Sequence, residues 1–417
     1  MSVSSPSAIE RRAGVGVVPF AFTSNGGGGE ALPRRAESRF LTFCEVINVK
    51  IALIRRRYSP HGGAEKYVDR LSQKLLAQGQ EVHLFSAEWP QRPGLVLHLL
   101  PLFRGPGLMK LLHFNRQVEK AVDREAFEVI QSFEKTACQD IYRAGEGCHR
   151  EWLRQRKKYE PFPKRMGAAI NPFHWLTLAL EKRLFERSDT RFFIANSQRG
   201  KQEILTHYRT APEKIKVIYN AVELPSEPAA PVGSGHRDGE EKILLFVGSG
   251  FRRKGLYFLL GALPAVLKEV TVRLIVVGEG NQGKAARLAA RLGVGRQVSF
   301  VGPVKDPWPY YQGADVFVLP SLYEPFSNAC LEAMSRGLPV VTTEMNGVSE
   351  ALLSGENGVV VRDPADLKGL AQAVIQALRL NREAVGPIHR QILVRHTWEK
   401  HIEELLKLYL QVIEKKV

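Results

Sequence analysis

Short apolar runs alternate with helical patterns along most of the chain. The first run, Val49–Ile54, is largely apolar and rich in β-branched residues, as expected of a parallel strand that helices cover on both faces. A glycine pair, Gly62-Gly63, follows it and precedes a helical pattern that ends near Gly79. Further runs predict strands at Glu81–Ser86, Phe127–Phe133, Arg191–Asn196 and Ile215–Tyr219.

A second alternating set follows residues 225–241, a polar stretch rich in Pro, Ser and Gly that is typical of a linker. Its strands are predicted at Lys242–Val247, Val272–Val277, Val298–Val301, Val316–Leu319, Val340–Thr342 and Val359–Val361. Helical patterns lie between them, including Ala329–Arg336 and Leu367–Leu378. We expect C-terminal helices over 386–417, among them Trp398–Ile413, to pack back on the first half of the chain.

The alternation of strands and helices with short loops predicts right-handed crossovers and doubly wound parallel sheets. We therefore expect an α/β protein with two Rossmann-like domains, over residues 46–224 and 242–385, that face each other across a cleft. Ligands of such sheets bind beyond the carboxyl ends of the strands. The loops that follow the strands are therefore where chemistry is expected.

Residues 1–45 differ from the rest of the chain. They contain the glycine run Gly26–Gly29 and no sustained periodicity. The stretch Ala13–Phe22 faintly resembles a signal peptide, but Pro19 interrupts it and no clear cleavage site follows. We expect a disordered tail or a start codon assigned too early, and leave the segment out of the fold.

Composition excludes several classes of protein. The chain has 417 residues, a length that favours two domains. Its four cysteines form no C-x-x-C pair, which excludes a disulfide scaffold and a cysteine zinc site and suits a reducing compartment. No apolar run reaches the about 18 residues of a transmembrane helix. The net charge of +16 indicates an anionic partner, which could be nucleic acid, an acidic lipid surface or a phosphorylated substrate.

One glycine-rich loop resembles a dinucleotide fingerprint. Residues 278–283 match G-x-G-x-x-G between a strand and a helix. The loop follows the second strand of its domain rather than the first, and no acidic residue ends the next strand to bind a ribose. We therefore disfavour a nicotinamide or flavin enzyme, and expect these glycines to let the backbone approach a phosphate or sugar closely.

Three other loops carry a stronger pattern. Gly62-Gly63 opens a helix, where backbone N–H groups can face an anion. Arg252–Lys254 places three cations where a strand gives way to a helix, which suits a diphosphate. Glu324 and Glu332 stand eight residues apart around the start of another helix. Each motif alone could be a solvated turn or an exposed helix acid, but all three fall on strand-to-helix loops.

At these residues the sequence resembles the family 4 retaining glycosyltransferases of the GT-B fold. The resemblance rests on the E-x7-E element at 324–332, the residues 333–341 that follow it, the Arg-Lys-Gly at 253–255 and the glycine loops. It extends from about residue 49 to residue 410. Within the family, the string at 248–255 is most similar to enzymes that add glucose to the inner-core heptose of lipopolysaccharide.

The resemblance implies roles for the charged candidates. Arg253 and Lys254 would bind the diphosphate of a nucleotide sugar held by the second domain. Glu332 would bind the ribose hydroxyls, and Glu324 would accept hydrogen bonds from the donor sugar. The acceptor would bind on the side of the first domain.

Backbone groups and one aspartate complete the expected site. The N–H groups of Ser327 and Asn328, together with the loop of Gly62 and Gly63, would add to phosphate or sugar binding. Asp140 is our candidate for orienting the acceptor or stabilising an oxocarbenium-like transition state, with an ordinary loop or cap aspartate as the alternative. Retention without an obvious nucleophile suggests front-face displacement, in which the leaving phosphate takes the acceptor proton.

The sequence offers no carboxylate clamp for a metal on the diphosphate, because no D-x-D pair occurs in the chain. Cations and helix N-termini would stabilise the leaving group instead. We therefore expect neither a metal ion nor another cofactor.

Basic and aromatic residues are concentrated between Arg143 and Trp175. They are Arg150, Arg154, Arg156, Lys157, Lys158, Lys164 and Arg165, with Trp152, Tyr159, Phe162 and Phe173 among them. The pattern suits an anionic membrane surface or a phosphorylated glycolipid, although cations with stacking aromatics also bind nucleic acid. Since no nucleic-acid fold is recognisable, we favour the membrane and expect no nucleic acid. A solvated basic helix is the remaining alternative.

Three functions stay open. The favoured one is a retaining, metal-independent hexosyltransferase that moves a hexose, first of all glucose, from a UDP-sugar to a lipopolysaccharide-core or other lipid-linked acceptor. It would act in the cytoplasm, peripherally on the inner face of the inner membrane. The others are a nucleotide-sugar epimerase or hydrolase on the same scaffold, and a non-catalytic protein that binds anionic ligands.

Overall fold

The structure is a computed structural model. It describes residues 48–59, 62–101, 103–225 and 241–416. The predicted tail over 1–45 lies outside these residues, as does the predicted linker over 225–241 except for its two end residues.

The first domain is built on a parallel sheet. Its strands are β1 (Lys50–Ile54), β2 (Glu81–Ser86), β3 (Val96–Leu99), β4 (Val129–Ser132), β5 (Ile141–Arg143), β6 (Phe192–Ala195) and β7 (Ile215–Val217). Within the described residues the order is β3-β2-β1-β4-β5-β6-β7, and neighbouring strands run parallel. The order extends outward from β1 in both directions, which is the doubly wound arrangement. Residues 51–54 of β1 are fully buried because helices cover both faces of the sheet.

Helices connect the strands of this sheet. They are α1 (Gly63–Ala77), α2 (Gly107–Ala121), α3 (His149–Lys158), α4 (Phe162–Ala169), α5 (Pro172–Arg187) and α6 (Gln198–His207). Helix α1 illustrates why they form, since Tyr67, Val68, Leu71 and Leu75 recur at helical spacing and are all buried. Short 3₁₀ helices lie at Pro212–Lys214, Gly295–Gln297, Gly347–Ala351 and Val394–His396.

The second domain repeats the plan. Its strands are β8 (Lys242–Val247), β9 (Val272–Val277), β10 (Val298–Gly302), β11 (Val316–Leu319), β12 (Val340–Thr343) and β13 (Gly358–Val361). Its helices include α7 (Leu256–Val266), α8 (Gln282–Arg291), α9 (Trp308–Gln312), α10 (Asn328–Ser335) and α11 (Leu367–Leu378). The described strands lie in the order β10-β9-β8-β11-β12-β13 and are again parallel.

The prediction of two doubly wound parallel sheets is confirmed, and each predicted strand is present. The apolar pattern does not predict β3 or β5. Strand β3 lies at the sheet edge, where Val96 and Leu99 are exposed, so it lacks the continuous apolar run of a buried strand. Strand β5 has three residues, and two of them are Tyr142 and Arg143.

The last two helices pack on different domains. Helix α12 (Arg382–Leu393) starts before the predicted boundary at 386 and packs against α10. Helix α13 (Trp398–Glu414) returns to the first domain and packs on α1 and β4. Its Tyr409 hydroxyl donates to Gln131 Oε1 at 2.7 Å, and its Trp398 ring stacks on Tyr67.

The last described residues before the linker contact the segment that leads into α13. Val222 N donates to the His396 carbonyl at 2.8 Å, and Val222 forms a parallel bridge with Thr397. In the described residues no helix is long and apolar enough to cross a bilayer.

Candidate functional site

Both sheets end on a common cleft of about 840 Å³. The loops after β1, β4 and β5 line it from the first domain, and those after β8, β9, β10 and β11 line it from the second. These are the carboxyl ends of parallel strands, where ligands are expected. The expected site residues that line the cleft are Gly62, Gly63, Arg253, Lys254, Glu324, Asn328 and Glu332. The structure thus brings together residues from three separate loops.

Gly255 shapes the loop that carries the expected diphosphate ligands. Its φ is +81°, in the left-handed region, and a Cβ there would lie 1.8 Å from the Pro320 carbonyl oxygen. A larger residue would therefore separate the loops after β8 and β11. The close approach brings Arg253 next to the second loop, where its carbonyl accepts from Leu322 N at 2.8 Å.

Glu324 binds the two cations of this loop. Arg253 Nη1 donates to Glu324 Oε2 at 2.5 Å, and Lys254 Nζ forms an ion pair with the same oxygen. Burial raises the pKa of Glu324, but the two cations outweigh this effect and hold it below its usual value. Burial lowers the pKa of Lys254, and Glu324 offsets that effect only in part.

The cluster of Arg253, Lys254 and Glu324 has two cations for one carboxylate. Lys254 and Glu324 are each about nine-tenths buried, with 9% of their surface exposed, so water screens the excess positive charge weakly. An uncompensated buried cation costs free energy that a bound anion recovers. The arrangement therefore suits a diphosphate.

Helix α10 begins at the wall of the cleft. Its cap residue Ser327 is buried, and its Oγ accepts from Cys330 N at 3.3 Å. Asn328 and Ala329 of the first turn line the cleft, whereas Ser327 does not. The positive end of the helix dipole adds to the attraction for an anion. A ligand contact by the Ser327 N–H stays a prediction.

Glu332 lies on the second turn of α10. The Tyr311 hydroxyl donates to its Oε2 at 2.8 Å. Burial raises the pKa of Glu332, and the hydrogen bond, Lys66 and Lys254 offset this only in part. A carboxylate at this depth can accept hydrogen bonds from a hydroxyl-rich ligand. In the described residues, no group of three or more His, Cys, Asp or Glu side chains could hold a metal ion.

Gly62 and Gly63 form the opposite wall, at the start of α1. A Cβ on Gly62 would lie 1.8 Å from Glu65 Oε2, so a side chain there would require the Glu65 carboxylate to move. The position of a Cβ on Gly63 would be 4.0 Å from Asn328 Nδ2 of the other domain. The N-termini of α1 and α10 therefore meet across the cleft.

Two glycines of the loop at 278–283 pack closely against other protein atoms. Gly278 has a φ of +127°, and a Cβ there would lie 2.4 Å from the Gly248 carbonyl oxygen. A Cβ on Gly280 would lie 2.4 Å from the ring of Phe251. Gly278 also lines the cleft, so the expectation that these glycines let the backbone approach a phosphate or sugar stays a prediction.

Asp140 does not lie in the cleft. It precedes β5, so it stands at the amino end of the first sheet, the edge opposite the cleft. Its Oδ2 accepts from Ile130 N at 2.9 Å and pairs with Lys416 Nζ at 2.8 Å, and its Oδ1 lies 3.7 Å from Arg191 Nε. The structure corrects the expectation that Asp140 orients the acceptor. The residue anchors the end of α13 to the sheet.

Several charged residues in the cleft were not predicted. Arg55 follows β1 and donates to Glu65 at 2.6 Å and to Glu146 at 3.0 Å. The Glu146 side chain lines the cleft with 61% of its surface exposed, and Arg143 at the end of β5 lines the cleft as well. Arg55 could have been predicted as a cleft residue because it directly follows the predicted strand β1. Arg143 and Glu146 could not, because β5 was not recognisable as a strand.

Two family models match the chain. Residues 61–225 match Glycosyltransferase Family 4, and residues 241–379 match Glycosyl transferases group 1. The first match takes in most of the first domain. The second takes in the loops of the charged cluster and all of α10.

Individual relatives extend the likeness over both domains. WaaG of Escherichia coli, a lipopolysaccharide glucosyltransferase, is 24% identical over 79% of this chain and 89% of its own. An uncharacterised glycosyltransferase of Methanocaldococcus jannaschii is 28% identical over 53% of this chain, and the match spans only 60% of that relative.

Solved structures show the same architecture. A crystal structure of WaaG superposes with a TM-score of 0.68 and 22% identity, covering 88% of this chain and 98% of its own. HepE of Anabaena, in complex with UDP-glucose, superposes with a TM-score of 0.62 and 18% identity, covering 88% and 99%. At these identities the likeness shows the fold alone.

Lys254→Gln tests the charged cluster. Removing one charged hydrogen-bond partner costs about 1.5–3 kcal/mol, so UDP affinity should fall roughly ten- to a hundredfold. Titration calorimetry with UDP measures the change. Lys268→Gln is the matched control, because Lys268 is exposed beyond the end of α7 that lies away from the cleft. Equal UDP affinity in the wild type and Lys254→Gln would place the diphosphate elsewhere.

Asp140→Asn tests the corrected role. The change removes ion pairs with Lys416 and Arg191, so the free energy of unfolding should fall by about 1–3 kcal/mol. Denaturant unfolding measures this fall, and a cycle with Lys416→Gln isolates the Asp140–Lys416 interaction. Turnover per folded molecule should stay unchanged. Reduced turnover at unchanged stability would restore Asp140 to the reaction.

Proposed function

The chain belongs to the family 4 glycosyltransferases of the GT-B fold, and we propose that it transfers a hexose, first of all glucose, from a UDP-sugar to a lipid-linked glycan such as the lipopolysaccharide core. The transfer retains the anomeric configuration and needs no metal. The observation that carries the proposal is the cluster of Arg253, Lys254 and Glu324 beside Glu332, on one wall of a cleft between two Rossmann-like domains.

The second domain supplies the donor site. Arg253 and Lys254 bind the diphosphate, and the N-termini of α1 and α10 add positive potential where negative charge develops. Glu332 accepts from the ribose hydroxyls. Glu324 accepts from hydroxyls of the donor sugar, while its negative charge keeps the two cations in place.

The bond changes in the transfer balance without a further reactant. The bond from the anomeric carbon to the diphosphate breaks, and a bond to the acceptor oxygen forms on the same face. The acceptor proton passes to the leaving phosphate. Positive charge around the phosphate stabilises it as it departs, since preorganised charge lowers the barrier where charge accumulates.

On the acceptor side, we propose that Glu146 has the role that the sequence analysis assigned to Asp140. Glu146 extends from the first domain into the cleft, and Arg55 orients it through a 3.0 Å hydrogen bond. An exposed carboxylate so placed can accept a hydrogen bond from the acceptor hydroxyl and stabilise positive charge on the donor sugar.

Two relatives support the choice of donor and acceptor class. WaaG is named for glucosyl transfer in lipopolysaccharide synthesis, and HepE binds UDP-glucose on the same fold. Both matches include the region of the donor loops. The proposed reaction takes place in the cytoplasm at the inner face of the inner membrane, where a dissolved UDP-sugar meets a lipid-linked acceptor.

The surface that would meet the membrane is narrower than the sequence suggested. Arg143 is buried in the cleft, and Arg156 is paired with Glu160 with 26% of its side chain exposed. These two arginines are therefore less available to lipid headgroups than the exposed lysines that follow them. Arg154 pairs with Glu151 but keeps 61% of its side chain exposed.

Helix α4 and its flanks form the exposed part of this segment. Phe162, Met166 and Ile170 recur at helical spacing and are 72%, 49% and 66% exposed, and α4 has no buried residue. The exposed cations beside them are Lys157, Lys158, Lys164 and Arg165. Apolar side chains with flanking lysines suit the interface of an anionic leaflet. We call residues 157–175 the docking segment.

A transfer assay tests the proposed function. The protein is incubated with labelled UDP-glucose, UDP-galactose or GDP-mannose and lipopolysaccharide truncated at the inner core. Label should pass from UDP-glucose to lipid, and NMR of the product should show the donor's anomeric configuration. Glu324→Gln should greatly slow transfer. Release of free sugar without labelled lipid would instead indicate a hydrolase.

Vesicle sedimentation tests the docking segment. Replacing Lys157, Lys158 and Lys164 by Gln should weaken binding to phosphatidylglycerol vesicles by about 1 kcal/mol per charge. The matched control replaces three exposed lysines of the second domain, which are Lys268, Lys284 and Lys368. Binding of the unchanged protein should fall as salt rises. Equal losses in the two triple variants would mean that net charge alone, not this segment, governs binding.

A further inference from the structure

Arg143 is a buried guanidinium without a carboxylate partner. It is 2% exposed, and among the ion pairs of the described residues it appears in none. Its Nη2 donates to Asn220 Oδ1 at 2.6 Å, and its guanidinium lies over the Tyr67 ring at 4.3 Å from the centroid. Its Nη1 is buried and has no hydrogen-bond partner among the described residues.

Burying an unpaired charge costs free energy of folding unless a counter-charge and hydrogen bonds compensate it. A buried charge needs both a counter-charge and hydrogen bonds for its donors. The Tyr67 face and the Asn220 amide supply neither a full negative charge nor a partner for Nη1. Burial accordingly lowers the pKa of Arg143. Arg143 can therefore still bind an anion through Nη1.

Arg143 stands next to the place where the two helix N-termini meet. It ends β5 and lines the cleft. Asn220, which accepts from Arg143, donates in turn to Asn328 Oδ1 at 2.6 Å and to the Phe326 carbonyl at 3.3 Å. Asn328 is the first residue of α10 and faces Gly63 of α1. The Asn220 side chain thus lies between the Arg143 guanidinium and the start of α10. We call this side of the cleft, with Phe326, Asn328 and the cluster of Arg253, Lys254 and Glu324, the donor wall.

We propose that Arg143 binds the diphosphate of the nucleotide sugar from the first domain, opposite Arg253 and Lys254 of the second. This inference rests on the proposed function. The diphosphate is then held by cations of both domains. The guanidinium adds a third positive charge to the leaving phosphate.

A phosphate carried by the acceptor is the other source of the same chemistry. The hydrogen bonds through Asn220 favour the donor, because they connect Arg143 to Asn328 and Phe326 of the donor wall. Glu146, the candidate acceptor ligand, instead pairs with Arg55. The two sources predict different effects of a substitution at Arg143.

Titration calorimetry with uridine, UMP and UDP distinguishes them. Arg143→Gln should lower UDP affinity roughly tenfold or more, as expected for a lost charged hydrogen bond. Uridine affinity should stay unchanged, and Arg143→Lys should recover part of the UDP affinity because it keeps the charge. Unchanged UDP affinity with a raised acceptor KM would overturn the inference in favour of an acceptor phosphate. An equal loss for uridine and UDP would overturn it in favour of a structural role.

A second variant keeps the test open if Arg143→Gln does not fold. Asn220→Asp has nearly the same shape and places a carboxylate where Arg143 already donates, which supplies an internal counter-charge. The change also removes the Nδ2 donor to Asn328 and Phe326, so retained uridine affinity is the check that α10 is undisturbed. UDP affinity should again fall while uridine affinity is retained, and thermal unfolding confirms that each variant is folded. Unchanged UDP affinity in folded Asn220→Asp would count against the inference.

Lys254→Gln, measured alongside, separates this inference from the proposed function. If Lys254→Gln weakens UDP binding and neither Arg143→Gln nor Asn220→Asp does, only the inference fails. If the wild type binds none of uridine, UMP and UDP, the proposed function fails as well.

Discussion

Excess positive charge at the carboxyl ends of two parallel sheets is the constraint on which the site depends. Glu324 is the buried acid that binds both Arg253 and Lys254, so the cluster keeps more positive than negative charge. The N-termini of α1 and α10 point to the same region. The fold tolerates this charge because the cluster lines the cleft, where an anion can reach it, and does not lie within a core.

Backbone sterics keep that charge in place. The left-handed Gly255 lets the loop after β8 lie directly against Pro320, and Gly278 lets its loop lie against Gly248. Neither contact leaves room for a Cβ. Gly255 therefore keeps the cationic loop against the loop of Glu324, and Gly278 keeps the loop after β9 against the start of the cationic loop.

The sequence predicts the sheets well where strands are buried on both faces and poorly elsewhere. Buried parallel strands such as β1 and β8 give continuous apolar runs that stand out from helices. Strand β5 has three residues and carries Tyr142 and Arg143, so nothing in its pattern marks it as a strand. That single omission accounts for two errors at the site. Without β5, Asp140 could be placed at the cleft although it stands at the amino end of a strand, and Arg143 could be assigned to a membrane surface although it stands at the carboxyl end.

The cations behind the net charge of +16 therefore lie in two kinds of place, the cleft and the outer surface. Arg143, Arg253 and Lys254 line the cleft, and Arg143 and Lys254 are nearly buried, so water screens their charges weakly. The lysines of the docking segment lie in solvent, where salt screens them and only their sum matters. Composition indicated an anionic partner but could not divide the charge between a phosphate and a surface, because burial is a property of the folded chain. In the transfer that we propose, a dissolved anionic donor meets an acceptor in an anionic leaflet, and each kind of cation has a role. The fold separates the two kinds by placing one at the strand ends and the other on an outer helix.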